Sequence, residues 1–266
     1  MEIFRLAIFT LLGIAFGSFL NVVIDRLPVG GSLLLPPSHC DACGRRLAAW
    51  DMLPVFSYLW LRGRCRSCGA RIPFRVLLVE LLGGLLFFLA FWRFGLSAEF
   101  AVTAFWGCVF LVIIFIDWEH KLILNKITYP AVALALILLA VDSLWPGVGL
   151  YSRLVFLPEP RILSGAIAGA AGFIFFLIVY LINPRGMGMG DVKLACLIGL
   201  VTDFPLVVVA LMVGIIIGGV VAVVLLVMRR KGRKDVIAYG TFLAIGPIVT
   251  LLWGNYILGW YLRLFF

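Results

Sequence analysis

The sequence predicts an all-α polytopic membrane protein of about eight transmembrane helices, with a small cytoplasmic zinc-ribbon-like loop domain after the first helix. Three observations carry this. Of the 266 residues, 64% are hydrophobic and only 13% charged, whereas soluble domains have about 25% charged residues. The apolar residues fall into long runs separated by short polar links. A single long polar segment, residues 25–74, holds two Cys-x-x-C pairs. A chain so apolar cannot close one water-facing core, so the bilayer is its solvent.

A membrane helix needs roughly 20 apolar residues. Candidate spans lie at 3–24, 75–92, 100–117, 127–145, 162–182, 192–202, 205–228 and 238–262. The first is kept as a helix rather than a cleaved signal, because it runs on into GSFLNVVIDRLP without a small-x-small cleavage pattern. Residues 1–24 are thus read as the first transmembrane helix, 25–74 as the loop domain, and 75–266 as the remaining transmembrane domain.

The net charge of +9 invites a nucleic-acid reading, but the positive-inside rule accounts for it. With the amino terminus outside and eight crossings, 17 of the 22 lysines and arginines fall on the cytoplasmic side. No nucleic-acid partner is needed. The span at 192–202 is short, about 17 Å of helix at 1.5 Å per residue. If it did not cross, the basic run RRKGRK would move outside and the charge asymmetry would weaken. A short helix crosses only where its end is buried in protein or lines a wet cavity. The glycine-rich end, Gly188, Gly190 and Asp191, fits that requirement at the cytoplasmic boundary.

The loop carries CDAC at 40–43 and CRSC at 65–68, each followed by a glycine. Two intervening residues let both thiolates of a pair face one tetrahedral ion, and the glycine permits the tight turn behind them. Cys40, Cys43, Cys65 and Cys68 are therefore the expected ligands of one structural zinc, with no open position for catalysis. Disulfides are the competing reading, and a loop on the reducing side of the membrane argues against them. Cys108 and Cys196 lie in apolar segments and read as small core residues.

Acids within spans are costly and mark functional sites by default. Asp142, Glu159, Asp203 and Asp235 read as loop residues. Asp117 ends the third span and Asp191 begins the sixth, both at the inner end, and Glu80 lies within the second. Two aspartates that meet share one proton, so one acts as base on a water while the other protonates the substrate. The plainer alternatives are that Asp191 caps its helix and that Asp117 pairs with Lys121. Spacing alone leaves both open.

The motifs in combination add a resemblance. GSFLNVVIDRLP at 17–28, the doubled Cys-x-x-C loop, FIDWEHKLILN at 115–125, GMGDVKL at 188–194 and YGTFLAIGP at 239–247 occur in order along the chain. Together they resemble the bacterial type IV prepilin peptidases, bifunctional leader peptidases and N-methyltransferases of pilus and type II secretion systems. The resemblance implies an aspartic peptidase of Gly-x-Gly-Asp type with Asp117 and Asp191 as catalytic pair. It implies cleavage of the basic leader of prepilins or pseudopilins at the cytoplasmic face of the inner membrane. Methylation of the new amino terminus from S-adenosylmethionine would follow, with the cysteine loop the methyltransferase-associated part. Gly188 and Gly190 would let a backbone approach Asp191, and Lys193 would influence its charge or a substrate carboxylate. Glu80 would anchor the loop through an arginine or contact the substrate amine. Asn21 and Asp25 are candidates near the methyl donor, whose site stays unassigned. The family usually has proline where this chain has Leu124. A peptidase-only enzyme, a proton-coupled transporter and a non-catalytic zinc-ribbon adaptor are the competing functions.

Overall fold

The computed structural model describes residues 2–145, 161–184, 187–228 and 238–265. Among these there is no strand, only two isolated bridges in the loop, and nine α-helices form the architecture. Seven of the helices are long and apolar enough to cross a membrane. The protein is a multi-pass membrane protein. Arg185 and the basic run at 229–234, which weigh in the charge count, lie outside the described residues, as do Glu159 and Asp235.

The chain divides into two compact units, residues 1–95 and 96–266. In the first, α1 (Glu2–Arg26) packs along α3 (Phe74–Phe94). The contact is made by glycines. A Cβ on Gly13 would lie 2.5 Å from the Gly83 carbonyl oxygen, and one on Gly17 would lie 2.7 Å from Glu80 Cα. Small residues four apart let two apolar helices approach backbone to backbone, which is how helices associate where hydrophobic burial gives no drive. Phe9 on Phe91 and Phe16 on Phe87 stack beside this seam at 4.3 and 5.3 Å between ring centroids. The helix at 74–94 thus packs with α1 in one compact unit. Within the loop, a short 3-10 turn (Ala49–Met52) and α2 (Phe56–Trp60) are the only helical pieces among the described residues.

The second unit holds α4 (Ala98–His120), α5 (Asn125–Leu144), α6 (Arg161–Ile182), α7 (Met189–Thr202), α8 (Leu206–Val227) and α9 (Tyr239–Phe265). The helix α7 is the short one, 14 residues or about 21 Å. It packs on α5, α6, α8 and α9, and ten of its residues are buried. Enclosure by protein is what allows a helix shorter than the hydrocarbon layer. A Cβ on Gly199 would lie 2.3 Å from the Ala168 carbonyl oxygen, so α6 and α7 touch through backbone.

One expectation is corrected. Asp142 is not a loop residue. It sits inside α5, buried, with Oδ2 3.1 Å from Arg161 Nη1. Asp203 caps the end of α7 and accepts the Ser164 hydroxyl, while burial, its largest influence, raises its pKa. Apolar composition around Asp142 hid a buried ion pair whose partner, Arg161, starts the next helix.

Candidate active site and metal centre

The second unit brings together Asp117, Asp191 and the start of α9. Asp117 lies three residues from the end of α4, where Lys121 takes a left-handed conformation (φ 53°, ψ 42°) and closes the helix by donating its N–H to the Asp117 carbonyl. The Asp117 side chain is not paired with Lys121, which is exposed. Its Oδ2 accepts two hydrogen bonds from Thr241, 2.6 Å from the backbone N and 2.9 Å from the hydroxyl. Thr241 and Asp117 are both buried.

Asp191 is the third residue of α7, and the N-cap is Gly188. Its Oδ2 reaches back to accept the Gly188 N–H at 3.1 Å, satisfying one of the unpaired donors of the helix start. So the capping reading is partly met, with one oxygen. The other oxygen faces the pair. A Cβ built on Gly240 would lie 3.1 Å from Asp191 Oδ1 and 3.1 Å from Asp117 Oδ2. Both carboxylates converge on one glycine of α9. A side chain there would displace them.

Gly190 serves packing: a Cβ there would lie 2.9 Å from Ile123 Cβ. Gly188 leaves more room, its nearest neighbour being Asp191 Oδ2 at 3.6 Å. Lys193 turns away from the pair. Its Nζ donates to Asn125 Oδ1 at 2.9 Å and stands 5.0 Å from the Tyr129 ring centroid. It ties α7 to α5. Leu124, where proline was expected, has φ −75° and ψ 126°, a backbone that proline would also adopt.

In the first unit the four cysteines gather. Cys40, Cys43, Cys65 and Cys68 place their sulfurs within 4.8 Å of one another, none in a disulfide. Four thiolates at about 2.3 Å from a zinc ion stand about 3.8 Å apart, and Cys40 Sγ to Cys68 Sγ is 3.8 Å. The donor set therefore fits a tetrahedral metal. Each pair is a knuckle of the same build. Gly44 and Gly69 have φ of 67° and 71°, and donate to the carbonyls of Cys40 and Cys65. Arg45 Nη1 to Ser67 Oγ at 2.9 Å ties one knuckle to the other. The N–H groups of Cys68 and Ser67 pull the Cys65 thiol down to about 6, which favours the thiolate that binds metal. Cys68 has an Ala70 N–H that favours its thiolate, yet burial and the neighbouring thiols push it up to about 11. A divalent cation would relieve that crowding.

Glu80 is buried and anchors the loop, though through no arginine among the described residues. Its Oε2 accepts the Val55 N–H at 2.7 Å, at the start of α2 where Val55 has φ 63°. Asn21 and Asp25 engage Arg75. Arg75 Nη1 is 3.4 Å from Asn21 Oδ1, and its Nη2 pairs with Asp25. Beside α2 lies an open basin of about 640 Å³ lined by Trp50, Leu53, Phe56, Ser57, Leu59, Trp60 and Arg66. Arg66 pairs with Asp51 at 2.7 Å.

Known proteins agree with this division. Residues 11–94 match the Bacterial Peptidase A24 N-terminal domain, and residues 104–223 match the Type IV leader peptidase family. A "Prepilin leader peptidase/N-methyltransferase" of Pseudomonas putida is 33% identical, over 92% of this chain and 90% of its own length. The chain belongs to the type IV leader peptidase family. Relatives of the same name from Stutzerimonas stutzeri (32% identical, 95% of this chain, 92% of theirs) and Bacillus subtilis (28%, 97% and 98%) span nearly its whole length. No solved structure matches the chain. Membership makes it an enzyme, an aspartic peptidase that carries the methyltransferase name in its relatives.

Sequence reading missed Thr241 and Gly240. Both stand in the YGTFLAIGP motif, which marked the place without revealing what it faces. It also left the basin beside α2 unread, although Trp50, Phe56 and Trp60 in a polar loop were the signal.

Proposed function

We propose that this enzyme removes the basic leader of type IV prepilins or type II secretion pseudopilins at the cytoplasmic face of the inner membrane, with Asp117 and Asp191 as the reacting pair, and then methylates the new amino terminus. The observation that carries the peptidase reading is the convergence of both carboxylates on Gly240, 3.1 Å from a Cβ there in each case. Like charges this close favour one shared proton.

The chemistry follows from that shared proton. One carboxylate takes a proton from water as the water oxygen bonds to the scissile carbonyl carbon. The partner gives its proton to the carbonyl oxygen. On collapse the C–N bond breaks, the first carboxylic acid protonates the leaving nitrogen, and a hydroxyl of the tetrahedral carbon returns a proton to the second. Each aspartate regains its starting state. Neither a metal nor a side-chain nucleophile is consumed. The prepilin's apolar amino-terminal helix would lie among the spans, so the depth of the pair selects the bond. The positive-inside count puts the amino terminus outside and the loop and both aspartates at the cytoplasmic side.

Zinc held by Cys40, Cys43, Cys65 and Cys68 would be structural, since four thiolates fill a tetrahedral shell. S-adenosylmethionine supplies a methyl group when bound. The basin beside α2 suits it: the aromatic rings of Trp50, Phe56 and Trp60, which line it, would stack on a purine and attract a sulfonium. Arg66, with Asp51 beside it, would meet the charged groups of the methionyl end.

Mass spectrometry of a model prepilin incubated with the purified protein, zinc and S-adenosylmethionine tests the whole reading. Loss of the leader with gain of one methyl group is the expected spectrum. Intact substrate, with the protein shown to be folded, would overturn it.

A further inference from the structure

The two carboxylates are not equivalent, and the residue that makes them unequal is Thr241. Oδ2 of Asp117 receives the Thr241 N–H at 2.6 Å and its hydroxyl at 2.9 Å. Asp191 receives a single donor, the Gly188 N–H at 3.1 Å, on the oxygen that faces away from Gly240. A backbone N–H can only donate. The Thr241 hydroxyl has one other acceptor, the Ile114 carbonyl at 3.4 Å, so the shorter contact is to the carboxylate. Donors favour the ionised form of the group they address. Two of them on one oxygen mark Asp117 as the anion of the pair.

The described surroundings add no competing cation. Among the described residues neither carboxylate has an ion-pair partner. Lys193 on α7 is turned to Asn125, and Lys121, past the end of α4, is exposed. From α9, Tyr239 faces Asp191 and carries a phenol. From the link before α5, the neighbour is the apolar Ile123. The balance between the aspartates is therefore set by hydrogen bonds, and Thr241 supplies two of the three.

We infer that Thr241 is a positioning residue that fixes the division of labour in the pair. Asp117 is the base that takes the proton of the attacking water, on Oδ1, which the two Thr241 bonds leave open. Asp191 carries the shared proton and gives it to the scissile carbonyl oxygen. This rests on the proposed peptidase reading and assigns the roles that reading leaves symmetric.

The test uses the full chain in bilayers with a model prepilin. Thr241→Val keeps the shape and the N–H but removes the hydroxyl, Thr241→Ala removes both bulk and hydroxyl, and Thr241→Ser keeps the hydroxyl. Loss of a hydrogen bond to a charged group predicts a fall in kcat of about 10- to 100-fold in the Val and Ala variants. KM should stay within about twofold, and the acidic limb of the pH–rate profile should move to higher pH by about one unit. Thr241→Ser restores rate and profile. The assignment is overturned if Val keeps the parent kcat and profile, or if Ser falls with Val and Ala. Asp191→Asn in the same assay separates the two failures, because activity there would sink the two-carboxylate reading itself.

Discussion

The aspartate pair and the cysteine cluster are both convergent sites, and they are held together by opposite means. Asp117 and Asp191 are buried and fixed by helix packing: α7 is enclosed by four other helices, and α9 supplies Gly240 and the Thr241 donors. The cysteines are half-buried or exposed on a loop with no strand, and the backbone bonds that shape each knuckle are local. A site built from packed helices is present before its substrate arrives. A small loop with so little core would depend on a metal held by the four cysteines for its shape. On the proposed reading the two sites should be vulnerable in different ways: the aspartate pair to bulk, the cysteine loop to loss of metal.

That contrast is broken most severely by adding one methyl group at the pair. A Cβ on Gly240 would lie 2.7 Å from Ile123 Cδ1 and 3.1 Å from each carboxylate oxygen. Gly240→Ala should lower leader cleavage about 100-fold, the scale of a misplaced reacting group, while zinc content per chain stays as in the parent. Parent-like cleavage rates would mean that the pair has room the geometry denies.

The loop side is sharpened by Trp60→Ala. Trp60 lines the basin and is 84% exposed, so its removal leaves little of the fold to repair. The expected outcome is about a tenfold rise in the S-adenosylmethionine concentration needed for half-maximal methylation, with leader cleavage unaltered. Methylation kinetics that do not change would move the methyl donor elsewhere.

The smallest effect lies at Leu124. Its φ of −75° already suits proline, so Leu124→Pro should stabilise the protein by about 0.5 kcal/mol through the unfolded chain, read as a slight rise in Tm at full activity. A fall in Tm would show that the turn after Asp117 needs the leucine side chain or its N–H.

Much of the fold was legible because apolar runs and Gly-rich links are local signals. The short span at 192–202 proved to be α7, beginning three residues earlier at Met189, because the Gly-Met segment is itself the first turn. The cysteine cluster was readable from its spacing. What spacing could not give was distance across the chain. Thr241 is 124 residues from Asp117, and only the packing of α9 on α4 brings them together. Asp142 looked like a loop acid because its partner, Arg161, stands at the start of the next helix, out of reach of any local spacing rule. Lys193 looked like a neighbour of Asp191, but side chains two apart on a helix point different ways, and it reaches Asn125 instead.

On the proposed reading two buried carboxylates cut while the cysteine loop, with its metal bound, serves methylation. Mass spectrometry of one model prepilin treated in parallel with zinc-stripped parent enzyme and with metal-loaded Asp117→Asn and Asp191→Asn tests it most directly. The account predicts a cut, unmethylated product from the stripped enzyme and intact prepilin from both aspartate variants. Leader loss with either aspartate variant, or full methylation by the zinc-free enzyme, would contradict it.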